Sequence, residues 1–164
     1  MQAMRRKLGD IYRINLTDGK CSYMQHLAND ATQLGSAVVL VLFGKYVPKE
    51  SVAFDGFDVQ DGFLAHVFIK AGKILGVWER SEWSQPVVSE PIPAMWATCN
   101  IKDMQLEFSA DWSVWQTNQK MRAPASEEEL ASAELGLVIS PPQIVHRIEY
   151  STYSIRYPRR MYPR

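Results

Sequence analysis

Apolar and polar positions alternate over residues 10–16, where isoleucine, tyrosine and leucine are separated by polar side chains. This period of two predicts a half-buried β-strand. Asp18 and Gly19 follow, and an Asp-Gly pair next to an alternating segment is typical of a tight hairpin turn, because glycine accepts a positive φ. We therefore expect a second, antiparallel strand over residues 21–27.

The longest apolar run of the chain covers residues 37–43. It is rich in β-branched side chains and does not alternate, which predicts a strand buried on both faces. Farther along, residues 63–70 and 74–80 flank a segment that contains Gly72, and they predict a second hairpin. Shorter strands are expected at residues 95–99, 104–108 and 112–116, with a last strand at residues 151–157.

Two helices are predicted in the C-terminal part of the chain. Ser126 followed by Glu129 has the spacing of a capping box, and Gly136 is expected to end the helix that this box begins. Ser140 and Pro141 predict the start of a second helix, because proline is favoured in its first turn.

These elements predict an α+β fold: a mostly antiparallel β-sheet, open or barrel-like, with one or two short C-terminal helices. The length of 164 residues fits one domain over residues 1–164, and 46% hydrophobic residues exclude a disordered chain. No segment approaches the about 18 consecutive apolar residues of a membrane-spanning helix. The N-terminus does not resemble a secretory signal, so we expect a cytoplasmic protein.

Charge is unevenly distributed, although the chain as a whole has 18 basic and 18 acidic residues. Residues 21–150 contain nine basic and sixteen acidic side chains, whereas both ends of the chain are basic. An acidic body argues against a nucleic-acid reader, which needs a basic face for phosphates. Residues 156–164 interleave arginine with tyrosine and are expected to form a flexible basic tail.

Catalytic and ligand-binding motifs are not found in the sequence. Cys21 and Cys99 are far apart, and no phosphate-binding glycine loop or nucleophile elbow is present. The three histidines, His26, His66 and His146, are scattered, and the apolar strand around His66 favours a hydrogen-bonded structural histidine. We therefore expect no catalytic residues, no cofactor and no metal.

Two acidic groups are candidate partner-binding residues, because negative potential favours a basic partner. Solvation and helix capping are the structural alternatives for these carboxylates. The candidates are Asp55, Asp58 and Asp61 in the first group, and Glu127, Glu128 and Glu129 in the second. Trp112 and Trp115 are further candidates: at their spacing they point to opposite faces of a strand, so one of them is expected to be exposed.

Two segments resemble a known family. The first spans residues 7–23, with Lys7-Leu8-Gly9-Asp10-Ile11-Tyr12-Arg13-Ile14, Leu16, Asp18-Gly19-Lys20 and Tyr23; the second has Gly62-Phe63-Leu64-Ala65-His66 and continues through Gly72-Lys73-Ile74-Leu75-Gly76 to Trp78-Glu79. Both are similar to the immunity protein 26 family of bacterial polymorphic toxin systems. The resemblance implies a small cytoplasmic α+β protein that is not an enzyme and that binds and neutralises a cognate toxin, often a nuclease.

Two other functions remain open from the residues. The first is a small β-barrel adaptor that binds RNA or peptide through residues 156–164 and an exposed aromatic side chain. The second is a hydrolytic enzyme, which requires at least one histidine beside a carboxylate in a cleft.

Overall fold

The main sheet has five strands in the order β4-β3-β2-β1-β5, and each is antiparallel to its neighbours. The strands are β1 (Asp10–Asn15), β2 (Cys21–Asp30), β3 (Ser36–Leu42), β4 (Gly62–Val67) and β5 (Trp78–Ser84). The computed structural model describes residues 7–48, 59–85, 95–98, 101–102, 105–106 and 112–155. Three predictions fall wholly or partly outside these described residues. They are the strand at residues 104–108, the end of the last strand at residues 156–157 and the basic tail at residues 156–164.

The first predicted hairpin is confirmed by the pairing of β1 with β2. Asn15 pairs with Cys21 across the turn, where Gly19 has a φ of +79°. The Asp18 side chain supports this turn, because its Oδ1 accepts a hydrogen bond from the backbone nitrogen of Lys20 at 3.0 Å. The strand predicted at residues 37–43 is also confirmed: all seven residues of β3 are buried, and β3 lies between β2 and β4.

The second predicted hairpin is wrong. A short helix, α1 (Ile69–Ile74), connects β4 to β5, and the registers place these two strands parallel at opposite edges of the main sheet. Gly72 lies inside α1 against the indole of Trp78, where an added Cβ would come within 1.9 Å of Cε2. The glycine therefore permits close packing between the helix and the strand and does not form a hairpin turn.

A second sheet of three strands has the order β10-β6-β9. Its strands are β6 (Met95–Thr98), β9 (Ser113–Gln116) and β10 (Ala133–Leu135); β7 (Ile101–Lys102) and β8 (Gln105–Leu106) form a separate two-stranded ladder. The strands predicted near residues 95–99 and 112–116 are confirmed by β6 and β9. β10 pairs with β6 in parallel, whereas the other strand pairs of the described sheets are antiparallel.

Two helices follow β9, as predicted: α2 (Glu127–Ser132) and α3 (Pro141–Tyr150). The expectation that Gly136 ends α2 is wrong, because residues after Ser132 leave the helix and pair with β6 as β10. The prediction of a last strand is also wrong over the described residues: α3 ends at Tyr150, the next residue, Ser151, has a φ of +61°, and residues 151–155 form no strand.

Three hydrophobic clusters are found among the described residues, and the two largest lie on opposite faces of the main sheet. The larger cluster contains side chains from all five strands and from α1, α2 and α3, whereas the smaller contains Val38, Leu40, Leu64, Trp96 and Trp115. The predicted α+β class is confirmed, and the described strands form open sheets and do not close into a barrel. Within the described residues, no helix has the length and apolar character needed to span a membrane.

Candidate functional site

The acidic residues at the start of α2 divide into two kinds. The Glu129 side chain forms part of the helix cap: its carboxylate accepts a hydrogen bond from the backbone nitrogen of Ser126 at 2.9 Å and forms an ion pair with Arg122. Ser126 accepts a hydrogen bond from the backbone nitrogen of Glu129 at 3.2 Å, which completes the predicted capping box. Glu127 and Glu128 are exposed. Glu129 therefore belongs to the helix cap, whereas Glu127 and Glu128 lie on the exposed surface of α2.

Asp61 is exposed at the end of a 3-10 turn, Val59–Asp61, directly before the edge strand β4. Its backbone oxygen accepts a hydrogen bond from Phe43 at 3.1 Å, which fixes the position of the turn. Asp55 and Asp58 lie outside the described residues. The two predicted acidic groups belong to different parts of the fold, because Asp61 adjoins the main sheet whereas α2 packs against β6 and β10.

Trp112 and Trp115 are both buried, at 1% and 2% exposure, so the expectation that one of them is exposed is wrong. The prediction that they point in opposite directions is confirmed, since Trp112 belongs to the larger cluster and Trp115 to the smaller. Both sides of this part of the second sheet are covered, which leaves neither indole available to a partner. Trp83 on β5 is 39% exposed instead.

The sequence did not reveal a buried polar cluster around Asp30, the last residue of β2. Asp30 Oδ2 accepts hydrogen bonds from His66 Nε2 and Trp115 Nε1, both at 2.9 Å. Its Oδ1 accepts hydrogen bonds from the backbone nitrogens of Asn118 at 2.9 Å and Thr32 at 3.0 Å. We call these five residues the Asp30 cluster; it joins the main sheet to β9 and the turn after it.

Burial and hydrogen bonding shift the pKa of Asp30 in opposite directions. Burial raises the pKa of the carboxyl, but the hydrogen bonds from Trp115, Asn118, His66 and Thr32 together outweigh it, and the pKa lies below its ordinary value. For His66 burial is the larger effect and lowers the pKa, although Asp30 acts in the opposite direction. Near neutral pH, the Asp30 carboxylate is therefore ionised and accepts a hydrogen bond from the Nε2–H of a neutral His66 imidazole.

A hydrolytic enzyme requires a histidine beside a carboxylate and access of substrate to both, and His66 and Asp30 meet the first requirement. The side chains of His66 and Asp30 are both 0% exposed, so neither is accessible to solvent. His66 also packs against Trp96, with ring centroids 4.0 Å apart, and its Nδ1 has no hydrogen-bond partner within the described part of the chain. The predicted hydrogen bonding of His66 is confirmed, and the Asp30 cluster links the main sheet to β9.

A buried ion pair connects α3 to β10. Arg147 is 3% exposed, and its guanidinium donates to both carboxylate oxygens of Glu134, at 3.0 and 3.2 Å. The same guanidinium lies over the ring of Phe63, 4.0 Å from the centroid, and donates to the hydroxyl of Tyr153 at 3.2 Å. Glu134 is thereby held inside the fold and does not contribute to the acidic surface of α2.

Within the described residues, no group of three or more histidine, cysteine, aspartate or glutamate side chains is placed to hold a metal ion. Cys21 is buried, and Cys99 lies outside the described residues.

Comparison with protein-family models, with curated proteins and with solved structures finds no match to this chain.

Proposed function

We propose that this chain is a non-enzymatic immunity protein that acts in the cytoplasm, where it binds a cognate bacterial toxin, a nuclease by class, and neutralises it. The observation that carries the proposal is the resemblance of residues 7–23 and 62–79 to the immunity protein 26 family. Residues 7–23 contain β1 and the start of β2, and residues 62–79 contain β4, α1 and the start of β5. Both segments thus contribute to the main sheet.

The exposed carboxylates of Glu127 and Glu128 support a basic partner. The capping box fixes the first turn of α2, so both side chains project from a well-defined backbone. Within the described residues, Glu128 forms no ion pair. A protein that acts on nucleic acid is basic at the face that meets phosphates, and an acidic inhibitor surface accelerates its encounter with such a face.

The alternative of an RNA-binding or peptide-binding adaptor has less support. It needs an exposed aromatic side chain; the candidates Trp112 and Trp115 are buried, whereas Trp83 is 39% exposed. Its other element, residues 156–164, lies outside the described residues.

The proposal is tested by binding of the purified chain to the toxin domain encoded by the neighbouring gene. We expect a one-to-one complex whose association rate falls by about 10-fold or more in the double variant Glu127→Lys/Glu128→Lys, because steering is lost. Glu82→Lys is the matched control, since Glu82 is also exposed but lies on β5. An association rate and an affinity unchanged by the double variant would overturn the role of α2, and salt-sensitive RNA binding without toxin binding would favour the adaptor.

A further inference from the structure

Two turns interlock beside the Asp30 cluster, one after β2 and the other after β9. The Asn118 side chain bonds in both directions: its Oδ1 accepts a hydrogen bond from the backbone nitrogen of Ala31 at 2.8 Å, and its Nδ2 donates to the backbone oxygen of Asn29 at 2.9 Å. The hydroxyl of Thr32 donates to the backbone oxygen of Gln119 at 2.7 Å. We call these three hydrogen bonds the turn clamp.

The turn clamp holds two turns that have little other support. Residues 31–35 and 117–119 are all half-buried or exposed, so few buried contacts hold either turn in place. Leu34 has a φ of +58° in the first turn, a left-handed conformation that a bulky side chain rarely adopts and that persists only where the surrounding structure imposes it. Loss of the clamp therefore favours separation of the turns.

Asp30 connects the turn clamp to the main sheet. One oxygen of its carboxylate accepts hydrogen bonds from the backbone nitrogens of Thr32 and Asn118, one in each turn, and the other oxygen accepts from His66 on β4. The buried imidazole and the two turns thus bond to the same carboxylate. A change in the protonation of His66 acts directly on the group that holds both turns.

The closed fold does not accommodate a second proton on His66. Nε2 carries the proton that is donated to Asp30, so an added proton binds Nδ1, which is buried and has no hydrogen-bond partner among the described residues. The residues next to the imidazole, Val38 on β3, Trp96 on β6 and Trp115 on β9, carry no charge. In the described part of the chain, Asp30 is the one charged group that shifts the pKa of His66, and burial outweighs it. A second proton therefore leaves a buried N–H without an acceptor until water reaches it.

We propose that the turn clamp opens in acid: a second proton on His66 separates the turn after β9 from the turn after β2 and admits water to Nδ1, while the main sheet stays folded. The main sheet does not depend on the clamp, because β1, β2, β3 and β4 pair with one another along their lengths. Acid thus acts first on the contact between the two sheets.

The size of the effect follows from the number of protons. Opening takes up one proton at His66 between its ordinary pKa of 6.5 and the lower pKa in the closed fold, so the ratio of open to closed molecules rises by at most about 10-fold per pH unit. From pH 6 to pH 5 we expect a rise of about 5- to 10-fold.

Hydrogen–deuterium exchange of the full chain, followed by mass spectrometry between pH 7 and pH 5, tests this opening. After correction for the chemical exchange rate, exchange in peptides that cover residues 29–35 and 115–119 should rise by about 5- to 10-fold from pH 6 to pH 5. Exchange over residues 10–25, in β1 and β2, should stay constant. An equal rise in all peptides would show global unfolding, and a constant rate in both turns would show that they stay closed; either result overturns the proposal.

Histidine variants assign the opening to one side chain. His66→Gln keeps an N–H for Asp30 but does not titrate, so the pH dependence of both turns should disappear. His26→Gln and His146→Gln are the matched controls: His26 Nε2 lies 3.0 Å from Oδ1 of Asn29, beside the clamp, whereas His146 lies on α3. Both controls should keep the wild-type pH dependence. Its persistence in His66→Gln, or its loss in His26→Gln, would contradict the role of His66.

Asn118→Gly tests the turn clamp without any change to His66. Glycine accepts the φ of +63° at this position but removes both side-chain hydrogen bonds. Exchange over residues 29–35 should rise by about 5-fold or more already at pH 7, with residues 10–25 unchanged. Wild-type exchange over residues 29–35 in this variant would show that the clamp does not hold the turns, and the proposal would fail.

Discussion

Replacement of Asp30 by asparagine tests the role of the Asp30 cluster in holding the two sheets together. The substitution preserves shape but changes one acceptor oxygen into an NH2 group. If the NH2 group faces Asn118 and Thr32, it opposes two backbone N–H donors. If it faces the other way, it opposes the indole N–H of Trp115, and His66 must change tautomer to accept a hydrogen bond.

Either orientation leaves at least one buried donor unpaired and removes the charge that strengthens the remaining hydrogen bonds. An unpaired buried donor costs about 1–3 kcal/mol, and hydrogen bonds to a charged acceptor contribute about 1.5–3 kcal/mol each. We expect Asp30→Asn to lower the free energy of unfolding by about 3 kcal/mol. For a chain of this length, that corresponds to a fall in Tm of about 6–12 °C.

The assay is urea denaturation followed by tryptophan fluorescence, which reports on the buried indole of Trp115. Asp18→Asn is the control, because Asp18 is exposed and accepts a turn hydrogen bond that asparagine can also accept. A free energy of unfolding for Asp30→Asn within about 1 kcal/mol of the wild type would refute the reasoning, since at least one buried donor would then cost almost nothing.

Three further perturbations follow from the structure. Burial lowers the pKa of His66, so below pH 6.5 the unfolded chain binds a proton that the folded chain does not. The free energy of unfolding should therefore fall as the pH decreases below 6.5. The same measurement on His66→Gln should show a shallower fall. Arg147→Ala should cost about 3 kcal/mol by urea denaturation, whereas Arg122→Ala, which breaks an exposed pair, should cost less than about 1 kcal/mol; equal losses would contradict the buried pairing. Gly72→Ala should lower stability by about 1–3 kcal/mol, because the new methyl group overlaps Trp78, and a neutral effect on Tm would show that the contact is loose.

Local signals in the sequence were sufficient for elements whose structure depends on neighbouring residues. The Asp18-Gly19 turn, the capping box at Ser126 and the start of α3 at Pro141 each depend on side chains within a few positions. The buried strand β3 was predictable for a similar reason, since an uninterrupted apolar run has few other stable environments.

Elements that depend on distant residues were not predictable in the same way. Gly72 resembles a turn residue until Trp78 packs against it, and α2 ends at Ser132 because the next residues pair with β6. The Asp30 cluster has no motif: its partners are 36 and 85 positions away at His66 and Trp115, and only the packing of two sheets brings them together.

The acidic surface was predicted in part. Composition located the excess of carboxylates, but it could not separate the exposed Glu127 and Glu128 from Glu129, which the cap and Arg122 occupy. Exposure of Trp112 or Trp115 was predicted from strand alternation alone, which does not show that both faces of the second sheet are covered.

Co-expression with the toxin domain of the neighbouring gene is the most direct test of the proposed immunity function. We predict that cells producing both proteins survive, that the two proteins copurify as a one-to-one complex, and that Glu127→Lys/Glu128→Lys weakens the protection. Death of cells that contain an active toxin and a correctly folded chain would contradict the account for this pair.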